Sequence, residues 1–390
     1  MLKKLKKHER FIIGGILYNM LLVGINAQIV GAVVPHIRGE FEFSDMLSGF
    51  LLSANSAGVL TMSLIASYSA IFLGLKRAYC VQHALIVVGL IIISTTGNPI
   101  LLMAGMAFLG MGRGSTVNYS FQIANDITKS NPGIMSMMNA FYAVGACVVP
   151  FFVIICIGRL GDWRYASFGV AAATAIGITL STRMKIGKAD SKAKEKQRGG
   201  YAFFKSKEYW IVLIMVFFYI GMETSVGGWI IIHFMDTHNA PDQLASSMLT
   251  VFWATMLFGR LAFSAIANRI KESTLILWLS VGMAVFSALF IWVGGVGMAL
   301  AATIGMGIFM SAFYSTALAS IGSFISEYRV ALGFVLTVGG LGAVTMPSVV
   351  GIVANQQGVQ VGLIILVAAS AGLLILAVIN HRMKKTQKAD

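Results

Sequence analysis

Apolar runs of about twenty residues, the length a helix needs to cross a hydrocarbon core, follow one another from residue 11 to residue 380 with only short polar interruptions. They lie at about 11–36, 46–72, 78–96, 99–124, 133–157, 164–183, 209–234, 244–267, 273–293, 296–320, 330–354 and 360–380. The pattern predicts an all-α membrane protein with twelve spans. The first run follows Lys3, Lys4, Lys6, Lys7 and Arg10, which is how a signal peptide starts. About 25 apolar residues then pass without a small-residue cleavage site, so this run is expected to remain as a span.

One long polar stretch interrupts the series. Residues 184–208, rich in Lys and Arg, read as a linker between a six-helix bundle over 1–183 and a second over 209–390. Local similarities support a duplication. Gly110-Met111-Gly112 with Tyr119-Ser120 in span 4 matches Gly305-Met306-Gly307 with Tyr314-Ser315 in span 10, displaced by 195 residues. Gly145-Ala146 and Pro150 in span 5 match Gly342-Ala343 and Pro347 in span 11, displaced by 197. Two matches in corresponding spans predict parallel, pseudo-symmetric six-helix repeats, an architecture used by transporters.

Charge adds topology. Lys and Arg number 29 against 15 Asp and Glu. With the N-terminus inside, 24 of the basic residues fall in inner segments and only Arg38, Arg159 and Arg164 in outer loops. This asymmetry predicts a multi-pass protein of the cytoplasmic membrane with both termini cytoplasmic. Only 11% of residues are charged and 57% are hydrophobic, which excludes nucleic acid as the main partner. Cys80, Cys147 and Cys156 sit in apolar runs with no metal-ligand spacing, no phosphate-binding Gly-Lys-Ser/Thr loop occurs, and no soluble segment carries a nucleophile with its base. No metal, cofactor, ATP drive or enzymatic activity is expected.

Gly24–Pro35 (GINAQIVGAVVP), Met138–Pro150 (MNAFYAVGACVVP), Tyr219–Trp229 (YIGMETSVGGW) and Phe252–Arg269 (FWATMLFGRLAFSAIANR) resemble segments of the major facilitator superfamily, in particular its fucose-permease-like sugar-transporter branch. The resemblance covers essentially the whole chain. The family's loop signature after span 2, Gly…Asp-Arg…Gly-Arg-Lys, survives only as Gly74-Leu75-Lys76-Arg77, without its Asp. The resemblance implies the major facilitator fold, a central cavity lined by spans 1, 4, 7 and 10, and transport by alternating access.

Two ionisable residues stand out within spans. Glu223, halfway along span 7, is the only midspan carboxylate, and such a group must be protonated, paired or facing water. It is the candidate proton-coupling residue, with structural hydrogen bonding as the alternative. Arg113 in span 4 either binds substrate or pairs with Glu223. Arg260, near the inner end of span 8, reads as a snorkelling or helix-capping residue. The Gly110/Gly114 stripe reads as close helix packing.

Uncharged groups complete a candidate substrate site: Asn26, Asn118, Asn139, Tyr142, Tyr219, Trp229, Trp253, Ser311 and Tyr314. Amides and hydroxyls at the edge with aromatic rings against a C–H face are what a sugar requires, although Asn and Ser equally serve as bridges between helices. His233, His238, Asp236 and Asp242 read as a solvated outer loop. The function expected is a monomeric secondary transporter, embedded in lipid, that moves a small polar solute, a sugar in the first instance, with protons. The alternatives are a proton-driven exporter of drugs or metabolites and a polytopic sensor.

Overall fold

The computed structural model describes residues 6–128, 132–184, 202–266, 270–328 and 331–386. Most of the expected linker, residues 185–201, lies outside the described residues. Among those described, twelve helical segments are long and apolar enough to cross a membrane. In lipid no water can satisfy backbone N–H and C=O groups, so a chain this apolar closes its hydrogen bonds within helices. The chain divides into two compact units, Met1–Phe43 with Phe50–Ser191, and Lys192–Asp390 with the short segment Ser44–Gly49.

The N-terminal unit is built from α1 (Lys7–Phe41), α2 (Asp45–Leu73), α3 (Leu75–Thr95), α4 (Pro99–Thr128), α5 (Pro132–Leu160) and α6 (Arg164–Arg183). Where helices cross closely, glycines face a neighbour's backbone. A Cβ on Gly24 of α1 would overlap the Tyr142 carbonyl, and one on Gly145 of α5 would overlap that of Leu21. A buried polar chain joins four helices: Asn19 Nδ2 donates to the Tyr79 hydroxyl and to Ser181 Oγ, each at 3.0 Å, and the Tyr79 hydroxyl meets Ser120 Oγ at 2.9 Å. With no competing water, such bonds hold helices that lipid itself would not press together.

The C-terminal unit comprises α7 (Lys207–His238), α8 (Asp242–Ile266), α9 (Glu272–Trp292), α10 (Val296–Ser311), α11 (Phe313–Ser320), α12 (Gly322–Glu327), α13 (Ala331–Gln357), α14 (Val359–Gly362) and α15 (Ile364–Thr386). Ser206 caps α7 by accepting from the Tyr209 N–H at 3.3 Å, and Asn239 closes it in the left-handed conformation, φ 50°. Glu208 of α7 pairs with Lys384 of α15, which sets the start of α7 and the end of α15 on one face of this unit. The tenth span, expected as one helix over 296–320, is interrupted. Ser311 bonds back to the Ile308 carbonyl at 2.6 Å, and Ser315 and Thr316 both bond the Ala312 carbonyl, at 3.0 and 2.7 Å. Side-chain bonds of this kind, which compete with the regular ladder, cluster at the break.

His233 departs from the expected solvated loop, because α7 runs on to His238 and buries it. Its Nε2 bonds the Phe290 carbonyl at 3.0 Å and its Nδ1 meets the Thr237 hydroxyl at 3.1 Å. The imidazole thereby joins the C-terminal end of α7 to that of α9.

Candidate functional site

At the break in span 10 several polar side chains of the C-terminal unit come together. Met310 and Ser311 end α10, and the last carbonyls of a helix have no partner within it. Tyr219 donates its hydroxyl to the Met310 carbonyl at 3.0 Å, and Arg260 Nε donates to that of Ser311 at 3.2 Å. Glu223 lies one turn beyond Tyr219 on α7, and its carboxylate is 3.7 Å from the Arg260 guanidinium. The Tyr219 ring is stacked on Phe313 and Tyr314, with centroids 5.2 and 6.2 Å apart. Glu223, Arg260, Tyr219, Tyr314 and Ser311 therefore form one constellation drawn from α7, α8, α10 and α11.

Exposure decides what this constellation can do. The Arg260 side chain is 46% exposed and that of Glu223 20%. Charged side chains within a span are stable where they meet water or a partner rather than hydrocarbon. An ion pair at 3.7 Å is a loose contact rather than a tight hydrogen-bonded fork, and it can open without unfolding its surroundings. The arrangement is suited to charge exchange: neutralising the carboxylate removes one partner of Arg260 while the Ser311 carbonyl remains.

The other predicted residues divide into groups. Arg113 Nη2 donates to Asn55 Oδ1 at 2.9 Å, and Asn55 Nδ2 donates to the Met106 carbonyl at 3.0 Å. Its partner is thus an amide of the N-terminal unit, and the cation beside Glu223 is Arg260. Tyr142 lies within electrostatic range of Arg113, while Asn118 and Asn139 are exposed. Asn26 is fully buried, bonded through Nδ2 to the Leu22 carbonyl at 2.8 Å and to Thr174 Oγ1 at 3.5 Å, so it joins α1 to α6. Trp229 is fully buried and Trp253 half-buried, and neither indole N–H has a hydrogen-bond partner among the described residues. The sequence marks Arg260 as a snorkelling or helix-capping residue and carries no sign of which helix end it caps. The end it caps is that of α10, 51 positions away.

The two units repeat their contacts at a single displacement. Gly24 and Gly145 in the N-terminal unit correspond to Gly221 and Gly342, and Gly110 over the Asn55 carbonyl corresponds to Gly307 over that of Phe252. Each pair is 197 residues apart. The tenth span is therefore two residues out of the register that its Gly-Met-Gly motif suggested. At the same displacement, Ser63 Oγ donates to the Gly114 carbonyl at 2.9 Å where Arg260 donates to that of Ser311. Asn26 likewise stands where the second unit has Glu223.

Known proteins agree with this architecture. A model of the Major Facilitator Superfamily matches residues 16–304. The chain belongs to this superfamily and is a multi-pass membrane transporter. It is 21% identical over 291 residues to a putative glucose/galactose transporter of Helicobacter pylori (strain J99), covering 74% of this chain and 67% of that one. It is 23% identical over 299 residues to the glucose/mannose transporter GlcP of Bacillus subtilis, covering 74% and 71%. In fold it resembles a D-xylose-proton symporter, with a TM-score of 0.77 and 13% identity over 95% of this chain and 96% of that one. It also resembles the nucleoside transporter NupG, with a TM-score of 0.75 and 13% identity over 97% and 100%.

Proposed function

We propose that this protein imports a small sugar across the cytoplasmic membrane together with a proton, by alternating access, with both termini in the cytoplasm. The observation that carries the reading is the Glu223–Arg260 pair, 3.7 Å apart beside an interrupted helix. Interrupted spans expose backbone groups at membrane depth only where these line a cavity or are capped by side chains, and transporters use them at substrate sites. The orientation follows from the 24 basic residues on one side of the membrane.

The mechanism assigns each group a step. A proton from the outer side binds a Glu223 carboxylate oxygen and ends its ion pair with Arg260. The freed guanidinium N–H groups then donate to solute hydroxyls, while Ser311 and Tyr314 supply further hydrogen bonds and the Tyr219 stack a flat apolar wall. After the site opens inward, the solute leaves, the proton passes to the cytoplasm, and the ion pair re-forms. While the solute holds Arg260 the ion pair cannot re-form, so the proton stays on Glu223 until the solute has left, which couples the two fluxes. The sugar assignment draws on this hydroxyl-binding chemistry and on the glucose, galactose and mannose named for the two relatives.

Uptake of labelled glucose into proteoliposomes tests the reading. With the outside acidic, glucose should accumulate, a protonophore should abolish the accumulation, and unlabelled galactose or mannose should compete. Failure to transport any hexose, or hexose uptake indifferent to the pH gradient, would contradict it.

A further inference from the structure

The proposed site leaves unused a second charged feature of the C-terminal unit. On the face where α9 begins and α15 ends, a cavity of about 310 Å³ is lined by Lys271, His381, Lys384 and Lys385. That volume lies at the lower end of ligand pockets, roughly 300–1,000 Å³. Glu272 is the single carboxylate on its wall. Lys384 is engaged by Glu208 and by the Ser320 carbonyl, at 3.4 Å from the latter. Neither Lys271 nor Lys385 has an ion-pair partner among the described residues, so the cavity keeps an excess of positive charge.

Two hydroxyls also suit an anion. Ser273 and Thr274, in the first turn of α9, also line the cavity and bring hydroxyls to it. Lys271, at the N-cap of this helix, makes no side-chain cap, and Glu272 is the one acid of its first turn. Basic cavities between helix ends at a membrane surface are where phosphate-bearing lipid headgroups bind, since lysines there meet both the phosphate and the surface potential of anionic lipids.

We propose that this cavity binds the phosphodiester headgroup of an anionic phospholipid, held by Lys271 and Lys385 with Ser273 and Thr274 beneath it. Its acyl chains lie in the bilayer, and the headgroup bridges the start of α9 to the end of α15. The assignment holds whichever solute the protein carries, and it is tested without solute.

The full-length protein in detergent is mixed with equal amounts of phosphatidylglycerol and phosphatidylcholine, and the lipid retained is counted by native mass spectrometry. The wild type should retain phosphatidylglycerol in preference. Replacing Lys271→Ala and Lys385→Ala together should lower that retention by about fivefold per lysine. Lys271→Arg with Lys385→Arg should keep it, which separates lost charge from damaged folding. Lys76→Ala with Arg77→Ala, basic residues of the N-terminal unit, should also leave it unchanged. Retention unaffected by the double alanine change would overturn the proposal. So would displacement of the lipid by millimolar inorganic phosphate, since the site would then serve a free anion.

Discussion

The two halves of the chain share a skeleton and differ in the residues placed on it. At a displacement of 197 residues the first half has Asn26, Ser63 and Gly114 where the second has Glu223, Arg260 and Ser311. In the first half these groups are neutral and structural: Asn26 is buried against Thr174, Ser63 bonds the Gly114 carbonyl, and α4 runs unbroken from Pro99 to Thr128. In the second, the equivalent hydrogen bond is made by a guanidinium, the equivalent of Asn26 is a carboxylate, and the equivalent of α4 is interrupted.

Even the packing is exchanged. Gly114 on α4 accommodates the larger Met62 of α2, whereas in the second half Ser311 is accommodated by Gly259 of α8. A duplicated scaffold has thus kept its backbone contacts, which close packing makes hard to change, and altered the side chains between them. Ionisable chemistry on α7 and α8 and neutral bonding on α1 and α2 make the second half the seat of proton exchange in the proposed mechanism. The first half keeps a different charge, Arg113, bonded to an amide rather than to a carboxylate.

Substitutions at the shared contacts should have the largest effects and the same size in both halves. Gly145→Val and Gly342→Val would each drive a side chain into a neighbouring carbonyl, that of Leu21 or Phe217. Each should cost about 3 kcal/mol or more, read as loss of thermal stability in detergent. A loss confined to one half would break the equivalence. Arg260→Ala should cost less, about 1–3 kcal/mol, because the guanidinium is half exposed and water screens the pair it leaves behind. Ser63→Ala, at the equivalent position, removes one neutral hydrogen bond worth about 1 kcal/mol. A larger loss for Ser63→Ala than for Arg260→Ala would remove the distinction drawn between the halves. Asn26→Ala should cost about 1 kcal/mol through its lost bonds to Leu22 and Thr174. It should leave the pH dependence of uptake unchanged, although it occupies the position of Glu223.

Much of this was legible in the sequence because it rests on long-wavelength signals. Hydrophobic runs set the twelve spans, and the paired Gly145/Pro150 and Gly342/Pro347 motifs carry the 197-residue displacement. Glu223 stood out because a carboxylate amid apolar residues is costly whatever surrounds it. Partners were harder to read. Arg260 and Arg113 are both arginines within spans, and only three-dimensional packing decides which one lies beside Glu223. The break in span 10 was also hidden, since Ser311 through Thr316 are compatible with a continuous helix and the interruption depends on where their hydroxyls bond. Asn26 shows the converse: its polarity reads as a substrate contact, and in the fold its Nδ2 bonds Leu22 and Thr174 inside one unit while its Oδ1 is buried without a partner among the described residues.

The account depends most on Glu223 as the group that takes up and releases the transported proton. Glu223→Gln mimics its protonated form and leaves Arg260 with the Ser311 carbonyl as a partner. The reconstituted variant should be assayed twice on the same vesicles, once for exchange of labelled glucose against unlabelled glucose at equal pH and once for accumulation with the outside acidic. Exchange should persist, because it needs only the neutral state. Accumulation should vanish, because the amide cannot release a proton on the inner side. Full retention of pH-driven accumulation would contradict the assignment of Glu223.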